Sequence, residues 1–309
     1  MIAAVAGGVG AARFLRGLVR TVPPADVTVI VNTGDDEVFH GLHVSPDIDT
    51  VVYTLAGLVN PETGWGVEGD TFRTLGELGR LGEDVWFRLG DLDLATHLFR
   101  TRRLLAGMSL SAVTAELVAA RGLDLTVLPM TDDPAPTVIE TAEHGPMAMQ
   151  EWFVGHRCEP RVAAVELGAA STAAPAPGVV EALASADVVV ICPSNPLISV
   201  GPVLAVPGVR EALATRRDRV VAVSPIVGGK ALKGPAAALM SDLGLEPSCA
   251  AVASLYADVC GTLVIDEADA EEVATVEEAG LRAVVAPTIM RDVEASTALA
   301  ETVLAAVAP

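Results

Sequence analysis

The chain has 309 residues, 51% of them hydrophobic but only 4% aromatic, so a sizeable core must be built mainly from Ala, Val and Leu. Its 40 acidic and 20 basic residues give a formal net charge of −20, which argues against a nucleic-acid partner because a polyanion requires a basic surface. No apolar run reaches the roughly 18 residues that span a bilayer, and no basic leader is evident, so we expect neither a membrane span nor a signal peptide. Four scattered cysteines without a CxxC pair favour reduced thiols in the cytoplasm.

Short apolar runs alternate with helical segments along nearly the whole chain. Six strands are predicted, at Met1–Ala6, Val27–Val31, Ala186–Cys192, Arg219–Ser224, Leu263–Asp266 and Ala283–Ala286. Their hydrophobicity is continuous rather than alternating, as in strands that are buried on both faces of a parallel sheet. The sequence therefore predicts an α/β fold with a doubly wound, mainly parallel, Rossmann-like sheet.

Between about residues 60 and 122 the pattern becomes helical without clear strands. Helices are predicted at Asp93–Ala106 and Ser109–Arg121, with Ser109 as an N-cap and Gly122 as a stop signal. We interpret this region as a helical insertion that lies over the ligand-binding edge of the sheet. No linker or repeat divides the rest, so a single α/β domain covering residues 1–309 is expected.

A glycine-rich turn follows the first predicted strand and opens a helix. Gly7, Gly8 and Gly10 allow a sharp turn that brings backbone N–H groups and the helix dipole against an anion, and Arg13 adds positive charge. The turn is neither a Walker A loop nor a dinucleotide fingerprint, because Arg13 occupies the third glycine position. Phosphate binding and a tight turn without a ligand are both compatible with this segment alone.

Two acidic segments follow the second predicted strand. Asp35 and Asp36 form the first, and Asp47 and Asp49 lie in the opening turn of a helix predicted to begin at Pro46. Four neighbouring carboxylates repel one another unless a cation neutralises them, and Mg²⁺ prefers one or two carboxylates together with substrate phosphate. The helix dipole accounts for the second segment but not for the first. We therefore predict contact with a metal or a substrate.

Three later segments offer further polar groups. Asp91 and His97 are candidates for substrate contact, although the aspartate can also cap a helix and a lone histidine is usually structural. The two loops after the predicted strands Ala186–Cys192 and Arg219–Ser224 lie where open parallel sheets bind ligands. They carry the candidate donor-binding residues Ser194, Asn195, Ser199, Lys230 and Lys233.

Together these segments resemble the 2-phospho-L-lactate transferase family (CofD in archaea, FbiA in actinobacteria). The matching stretches occur in family order over roughly residues 2–240 and read GGVGAARFLRGL, VNTGDDEVFHG, SPDIDTVVYTLAG, WGVEGDTF, LGDLDLATHL, LPMTDDP, QEWFVG, PSNPLISVGPVL and SPIVGGKALKGPA. One departure is Leu92, which occupies a position where the family usually has arginine.

The resemblance implies a reaction in coenzyme F-420 biosynthesis. A phosphorylated three-carbon acid, 2-phospholactyl or enolpyruvyl phosphate, passes from a guanosine diphosphate-linked donor to the ribityl hydroxyl of the deazaflavin FO, and GMP is released. The resemblance also implies Mg²⁺ as cofactor and a homodimer in the cytoplasm. A non-catalytic regulator that binds a nucleotide sugar, from a related family, is the alternative.

The resemblance also suggests roles for the polar residues. Asp35 and Asp49 are the predicted catalytic residues, and Asp35, Asp47 and Asp49 the predicted metal ligands. The predicted substrate-binding residues are Gly7, Gly8, Gly10, Arg13, Asp36, Asp91, His97, Ser194, Asn195, Ser199 and Lys230. Which carboxylate acts as a general base, if any, is left open.

Overall fold

A computed structural model describes residues 1–307 and shows one large parallel sheet with helices on both faces. The strands of the described chain are β1 Ile2–Ala6, β2 Val27–Val31, β3 Glu37–Phe39, β4 Leu42–Val44, β5 Thr126–Pro129, β6 Val138–Thr141, β7 Gly145–Ala148, β8 Val162–Glu166, β9 Val188–Ile191, β10 Val220–Val223, β11 Ile226–Val227, β12 Lys230–Ala231, β13 Thr262–Ile265 and β14 Arg282–Val285. The central sheet has seven strands in the order β14-β13-β10-β9-β1-β2-β5, and all of its neighbours pair in parallel.

Successive residues of each central strand enter different cores. Ala3 and Val5 of β1 belong to one buried cluster, whereas Ala4 and Ala6 belong to the other. Side chains of a strand alternate between faces, so both faces of the sheet are buried. This explains the continuous hydrophobicity of the strands and confirms the predicted doubly wound α/β class.

Helices cover the two faces. They are α1 Gly8–Thr21, α2 Pro46–Leu55, α3 Arg73–Arg80, α4 Asp93–Leu105, α5 Leu110–Ala120, α6 Gly168–Thr172, α7 Val179–Ser185, α8 Gly201–Ala205, α9 Val209–Ala214, α10 Ala236–Asp242, α11 Cys249–Tyr256, α12 Val273–Glu278 and α13 Val293–Ala305. Short 3₁₀ segments occur at Pro24–Asp26, Arg217–Arg219 and Glu267–Glu272, and π-helical turns at Glu151–Gly155 and Pro196–Val200. Among the described residues, no helix is long and apolar enough to cross a membrane.

The six predicted strands are present, each within two residues of its expected ends. The sequence did not reveal β5 at the edge of the sheet, the antiparallel hairpins β3–β4 and β11–β12, or the antiparallel sheet β7-β6-β8. In the region predicted as a helical insertion lie α3, α4 and α5, and the hydroxyl of Ser109 caps α5 by accepting from the N–H of Ala112.

The strand order reverses beside β1. From β1 the chain adds β2 and β5 on one side, and it then returns to place β9 on the other side. In open parallel sheets such a reversal leaves a crevice at the carboxyl ends of the two neighbouring strands, where ligands bind. Here that crevice lies between the residues that follow β1 and those that follow β9.

Candidate active site

The glycine-rich turn after β1 lies directly against the loop after β9. The Ser194 hydroxyl donates to the carbonyl oxygen of Gly7 at 2.9 Å. A Cβ atom on Gly7 would lie 2.7 Å from Cβ of Ser199, and one on Gly10 would collide with the carbonyl of Pro193. Both glycines are therefore required by close packing, and the structure brings the predicted donor-binding residues of these two loops together.

Helix α1 begins at this crevice with an open N-terminus. Gly7 stands at the N-cap without a side-chain cap, and the first turn contains no acidic residue. Gly8 has a φ of +69°, a conformation that favours glycine, and a Cβ atom placed on it would lie 3.5 Å from Oδ1 of Asp47. The free N–H groups of the first turn, together with the helix dipole, form a favourable environment for an anion.

Asn195 adds a donor beside this turn. Its Oδ1 accepts from the N–H groups of Leu197 and Ile198 and so caps the π-helical turn. Its Nδ2 is buried and has no hydrogen-bond partner within residues 1–307. An unpaired buried donor is costly, so a ligand acceptor placed here would be bound favourably.

Asp35 and Asp47, which we call the carboxylate pair, meet on one amide group. Asn32, immediately after β2, donates from Nδ2 to Asp35 Oδ1 at 3.1 Å and to Asp47 Oδ2 at 2.9 Å. Gln150 donates from Nε2 to the other oxygen of Asp35 at 3.0 Å. A Cβ atom on Gly7 would lie 2.9 Å from Oδ2 of Asp47, so the pair lies at the opening of α1.

The carboxylate pair is buried without compensating charge. Each of the two residues is only 6% exposed, and neither forms an ion pair with a cationic group of the described chain. Burial and the neighbouring carboxylate Asp47 raise the pKa of Asp35 well above its usual range, and burial raises the pKa of Asp47 to about 7. A bound cation would stabilise both ionised forms.

Asp36 is bound differently from its neighbour Asp35. Its Oδ2 accepts from the Ser45 hydroxyl at 2.6 Å and lies 3.1 Å from Nε2 of His43. Ser45 therefore occupies the N-cap position of α2 but uses its hydroxyl on Asp36 instead of on the helix. Burial raises the pKa of Asp36, and His43 opposes the shift. The predicted substrate-binding role of Asp36 is thus accompanied by a structural one, which is to fix the segment before α2.

A second polar group, which we call the ion-pair cluster, contains Asp49, Tyr53, Asp93, His97 and Arg100. The Arg100 guanidinium, fully buried on α4, donates to both oxygens of Asp49 on α2. His97 Nε2 lies 3.2 Å from Asp93 Oδ1, and the Tyr53 hydroxyl donates to the same oxygen at 2.7 Å. The cluster joins α2 to the helical insertion.

The ion-pair cluster offers another explanation for two sequence-based assignments, those of Asp49 and His97. Ligand atoms of Asp49, Asp93 and His97 lie within 4.8 Å of one another, the spacing of a metal site. However, both oxygens of Asp49 are already bound by Arg100, so a cation there would face a guanidinium. His97 is only 1% exposed, and its ring nitrogens lie 3.2 Å from Asp93 Oδ1 and 3.7 Å from Asp49 Oδ2. We therefore assign Asp49 and His97 to the joint between helices, and we restrict the candidate metal site to the carboxylate pair.

Asp91 acts as a helix cap. It accepts from the N–H groups of Arg73 and Thr74 at the start of α3 and from the Thr71 hydroxyl. Asp70 does the reverse and accepts from the N–H groups of Leu92 and Asp93 at the start of α4. The predicted substrate-binding role of Asp91 has no support in these contacts, which explain the residue as a cap.

The position of Leu92 lies at the surface. Its side chain is 55% exposed. Leucine supplies neither the positive charge nor the N–H donors of the arginine that the family usually has there. Arg88 stacks over the ring of Phe72, with Cζ 4.1 Å from the ring centroid. It lines a small pocket together with Trp65 and Asp93, and its charge thus lies in the neighbourhood of Leu92.

Comparison with known proteins agrees with this geometry. The family described as "2-phospho-L-lactate transferase CofD" matches residues 2–303. The chain belongs to this family. It is 46% identical to a phosphoenolpyruvate transferase of Streptomyces griseus, over 98% of this chain and 97% of that one. It is 40% identical to a 2-phospho-L-lactate transferase of Methanosarcina acetivorans, over 97% of both chains.

Solved structures share the fold at low sequence identity. A crystal structure of a UPF0052 family member from Bacillus halodurans superposes with a TM-score of 0.63 at 18% identity, covering 98% of both chains. A second crystal structure of a Bacillus halodurans protein gives a TM-score of 0.64 at 17% identity over the same share. Both likenesses support the α/β fold.

Three residues of the site were missed from the sequence. Asn32 was visible only as part of the first acidic segment, with no signal that its amide would join two carboxylates. Gln150 lies 115 residues beyond Asp35, and Arg100 lies 51 residues beyond Asp49. Pairs this far apart leave no local spacing pattern, so only the folded chain reveals them.

Proposed function

We propose that this protein transfers a phosphorylated three-carbon acid from a guanosine diphosphate-linked donor to the ribityl hydroxyl of the deazaflavin FO. The hydroxyl oxygen forms a bond to the phosphorus that bears the acid, the bond from that phosphorus to GMP breaks, and the hydroxyl loses its proton. The product is a phosphodiester in the pathway to coenzyme F-420. We propose further that the enzyme works in the cytoplasm as a homodimer, a location that its four free cysteines favour.

The observation that carries this proposal is the meeting of two unlike features in one crevice. The N-terminus of α1 suits phosphate, and the carboxylate pair suits a divalent cation. The Asp47 carboxylate packs against Gly7 and Gly8, so the two features lie side by side. A phosphate ester held with a cation is the arrangement that displacement at phosphorus requires.

On the donor side, we assign phosphate binding to the turn that contains Gly7, Gly8 and Gly10. Ser199 packs against this turn, and the unpaired Nδ2 of Asn195 faces no acceptor within the described residues. Ser194 holds the turn itself through the Gly7 carbonyl. These groups bind and orient the leaving diphosphate, so the reacting phosphorus is presented in one direction.

The residues present fit Mg²⁺. The carboxylate pair offers hard oxygen ligands, and burial makes its charges costly until a cation binds. Asp35 and Asp47 would hold the ion, whose chemistry is to neutralise the negative charge of the transferred phosphate. Asn32 and Gln150 orient the two carboxylates, and Asp35 is also our candidate for contact with the acceptor hydroxyl.

The relatives favour catalysis over the nucleotide-sugar-binding alternative. The transferases compared above are 40–46% identical to this protein over nearly the whole chain. The solved structures, at 17–18% identity, are evidence for the fold alone. The relatives named phosphoenolpyruvate transferase share 44–46%, including one from Thermobifida fusca, so we place the enolpyruvyl donor first.

A panel of donors tests the proposal. The purified protein is incubated with Mg²⁺, FO and donors in which enolpyruvate, lactate or glycerate is joined to guanosine through one diphosphate, and the products are identified by mass spectrometry. We expect a phosphodiester of FO and one GMP per turnover, most rapidly with the enolpyruvyl donor. No product with any donor, together with tight binding of a UDP-sugar, would reverse the choice between enzyme and regulator.

A further inference from the structure

Two basic side chains from distant segments converge over the opening of α1. Val9 and Arg13 lie four residues apart and therefore share one face of this helix. A Cβ atom on Gly64 would lie 2.8 Å from Val9 Cγ1 and 3.6 Å from Lys233 Nζ, so the lysine ammonium lies beside the first turn. Lys233 also donates to the carbonyl oxygen of Thr63 at 3.2 Å.

The lysine is held here by the fold around it. Its loop follows the hairpin β11–β12, whose turn residues Gly228 and Gly229 have positive φ values of 57° and 72°. The buried Asp269 accepts from the N–H of Gly228 at 2.8 Å and anchors that turn. Lys230 on β12 and Lys233 are both exposed, but of the two only Lys233 makes a side-chain hydrogen bond within the described chain.

Like charges placed together require an explanation in so acidic a protein. Only 20 of the 309 residues are Lys or Arg, yet the Arg13 guanidinium lies near enough to the Lys233 ammonium to repel it. Partial burial and the nearby Arg13 guanidinium lower the pKa of Lys233. An anion between the two groups would remove that repulsion.

We propose that Arg13 and Lys233 form a clamp that binds the diphosphate of the donor nucleotide, and that Lys230, the other lysine suggested by the sequence, takes no part in it. The inference rests on the proposed function and deepens it, because it names the groups that recognise the leaving GMP. Lys233 reaches the crevice from the loop after β12, while its bond to Thr63 joins that loop to the segment that precedes α3. Donor binding is thereby linked to the helical insertion.

Nucleotide binding to the whole protein tests the clamp without requiring turnover. Affinities for GDP and GMP are measured by calorimetry for the unaltered protein and for Lys233→Met and Arg13→Met, which keep an apolar stem but lose the charge. We expect each substitution to weaken GDP binding about 10- to 100-fold, because it removes a charged hydrogen bond to the diphosphate. GMP lacks the second phosphate, so its binding should weaken much less. Lys233→Arg should retain most of the GDP affinity.

The controls separate charge from loop geometry. Arg20→Met removes an exposed arginine further along α1 and should leave both affinities within about twofold. Equal weakening of GDP and GMP by Lys233→Met would show a loosened loop and overturn the clamp, as would a larger loss of GDP affinity in Lys230→Met. Unaltered protein that binds neither nucleotide contradicts the proposed function itself and the clamp with it.

Discussion

The carboxylate pair and the ion-pair cluster begin from neighbouring positions and reach opposite electrostatic states. Asp47 and Asp49 are two residues apart in the first turn of α2. Asp47 is buried against Asp35 and has no cationic partner within residues 1–307, whereas Asp49 is neutralised by Arg100. One helix turn thus presents an uncompensated carboxylate to the crevice and a compensated one to the insertion.

This difference indicates which carboxylates are free to bind a ligand. A buried ion pair satisfies its own charges and does little beyond fixing the elements that it joins. A buried carboxylate without a cationic partner is destabilising in the ligand-free protein. Proteins keep such unfavourable groups mostly where a ligand compensates for them. We therefore propose a structural role for Asp49 and a ligand-binding role for Asp47.

Breaking the ion-pair cluster should have the largest effect on stability. Arg100→Met leaves Asp49 buried without a partner, so we expect the free energy of unfolding to fall by about 3–5 kcal/mol. Urea unfolding followed by circular dichroism measures the change. Arg103→Met is the matched control, because Arg103 lies on the same helix in a half-exposed pair with Glu116 and should cost about 0–1 kcal/mol.

Asp49→Asn completes this test from the other side. It leaves the buried Arg100 guanidinium unpaired and should likewise destabilise the protein. If Asp49→Asn keeps full stability but abolishes Mg²⁺-dependent transfer, the division between the two groups is wrong and the sequence-based metal assignment returns.

Breaking the carboxylate pair should affect activity instead of stability. Asp47→Asn keeps the shape and can still accept from Asn32, but it removes one of the two charges that would hold a cation. We expect the rate of FO product formation at saturating donor to fall at least about 100-fold. Unfolding of the metal-free protein at pH 8 should be unchanged or slightly harder, because a buried charge is gone.

Asp124→Asn, on an exposed residue, provides the matched control and should leave both quantities unchanged. A drop in stability with normal activity in Asp47→Asn would place Asp47 with Asp49 among the structural residues.

The pH dependence of Mg²⁺ stabilisation should give the smallest but most specific effect. The pKa of Asp47 is about 7 in the folded protein against an ordinary value of 3.8, so the folded state binds the additional proton between these pH values. Stability of the metal-free protein should therefore fall as the pH rises from about 4 to about 7. Mg²⁺ replaces the proton, so it should raise Tm more at pH 8 than at pH 5.

Scanning calorimetry with and without Mg²⁺ at the two pH values measures this effect. Asp47→Asn should remove most of the difference between them. Equal Mg²⁺-induced shifts at pH 5 and pH 8 in the unaltered protein would show that protons and the metal do not compete at this site.

Much of the fold was visible in the sequence because the central strands are buried on both faces. A run such as Val188–Ile191 has no solvent-facing position and is apolar throughout. The edge strand Thr126–Pro129 pairs on one side only and begins with an exposed threonine, and Val138–Thr141 alternates buried with half-buried residues. Such strands have weaker local patterns, so they were missed.

Only those parts of the site that follow from the order of the strands along the chain could be predicted from the sequence. Polar segments after separate parallel strands must gather at one edge, and the loops around Gly7 and Ser194 do so. Residues two apart on a helix diverge by roughly 200°, so Asp47 and Asp49 could have been assigned to different surroundings. What those surroundings contain depends on Arg100 and Gln150, which come from distant helices and loops.

The exchanged caps of the helical insertion define how it can be transplanted. Asp70, ahead of α3, caps α4, and Asp91, ahead of α4, caps α3. A chimaera that takes one helix from a relative and keeps the other would separate each aspartate from its N–H groups. Junctions for exchanging this region between family members should therefore lie before Asp70 and after α4, so that both helices are transferred together.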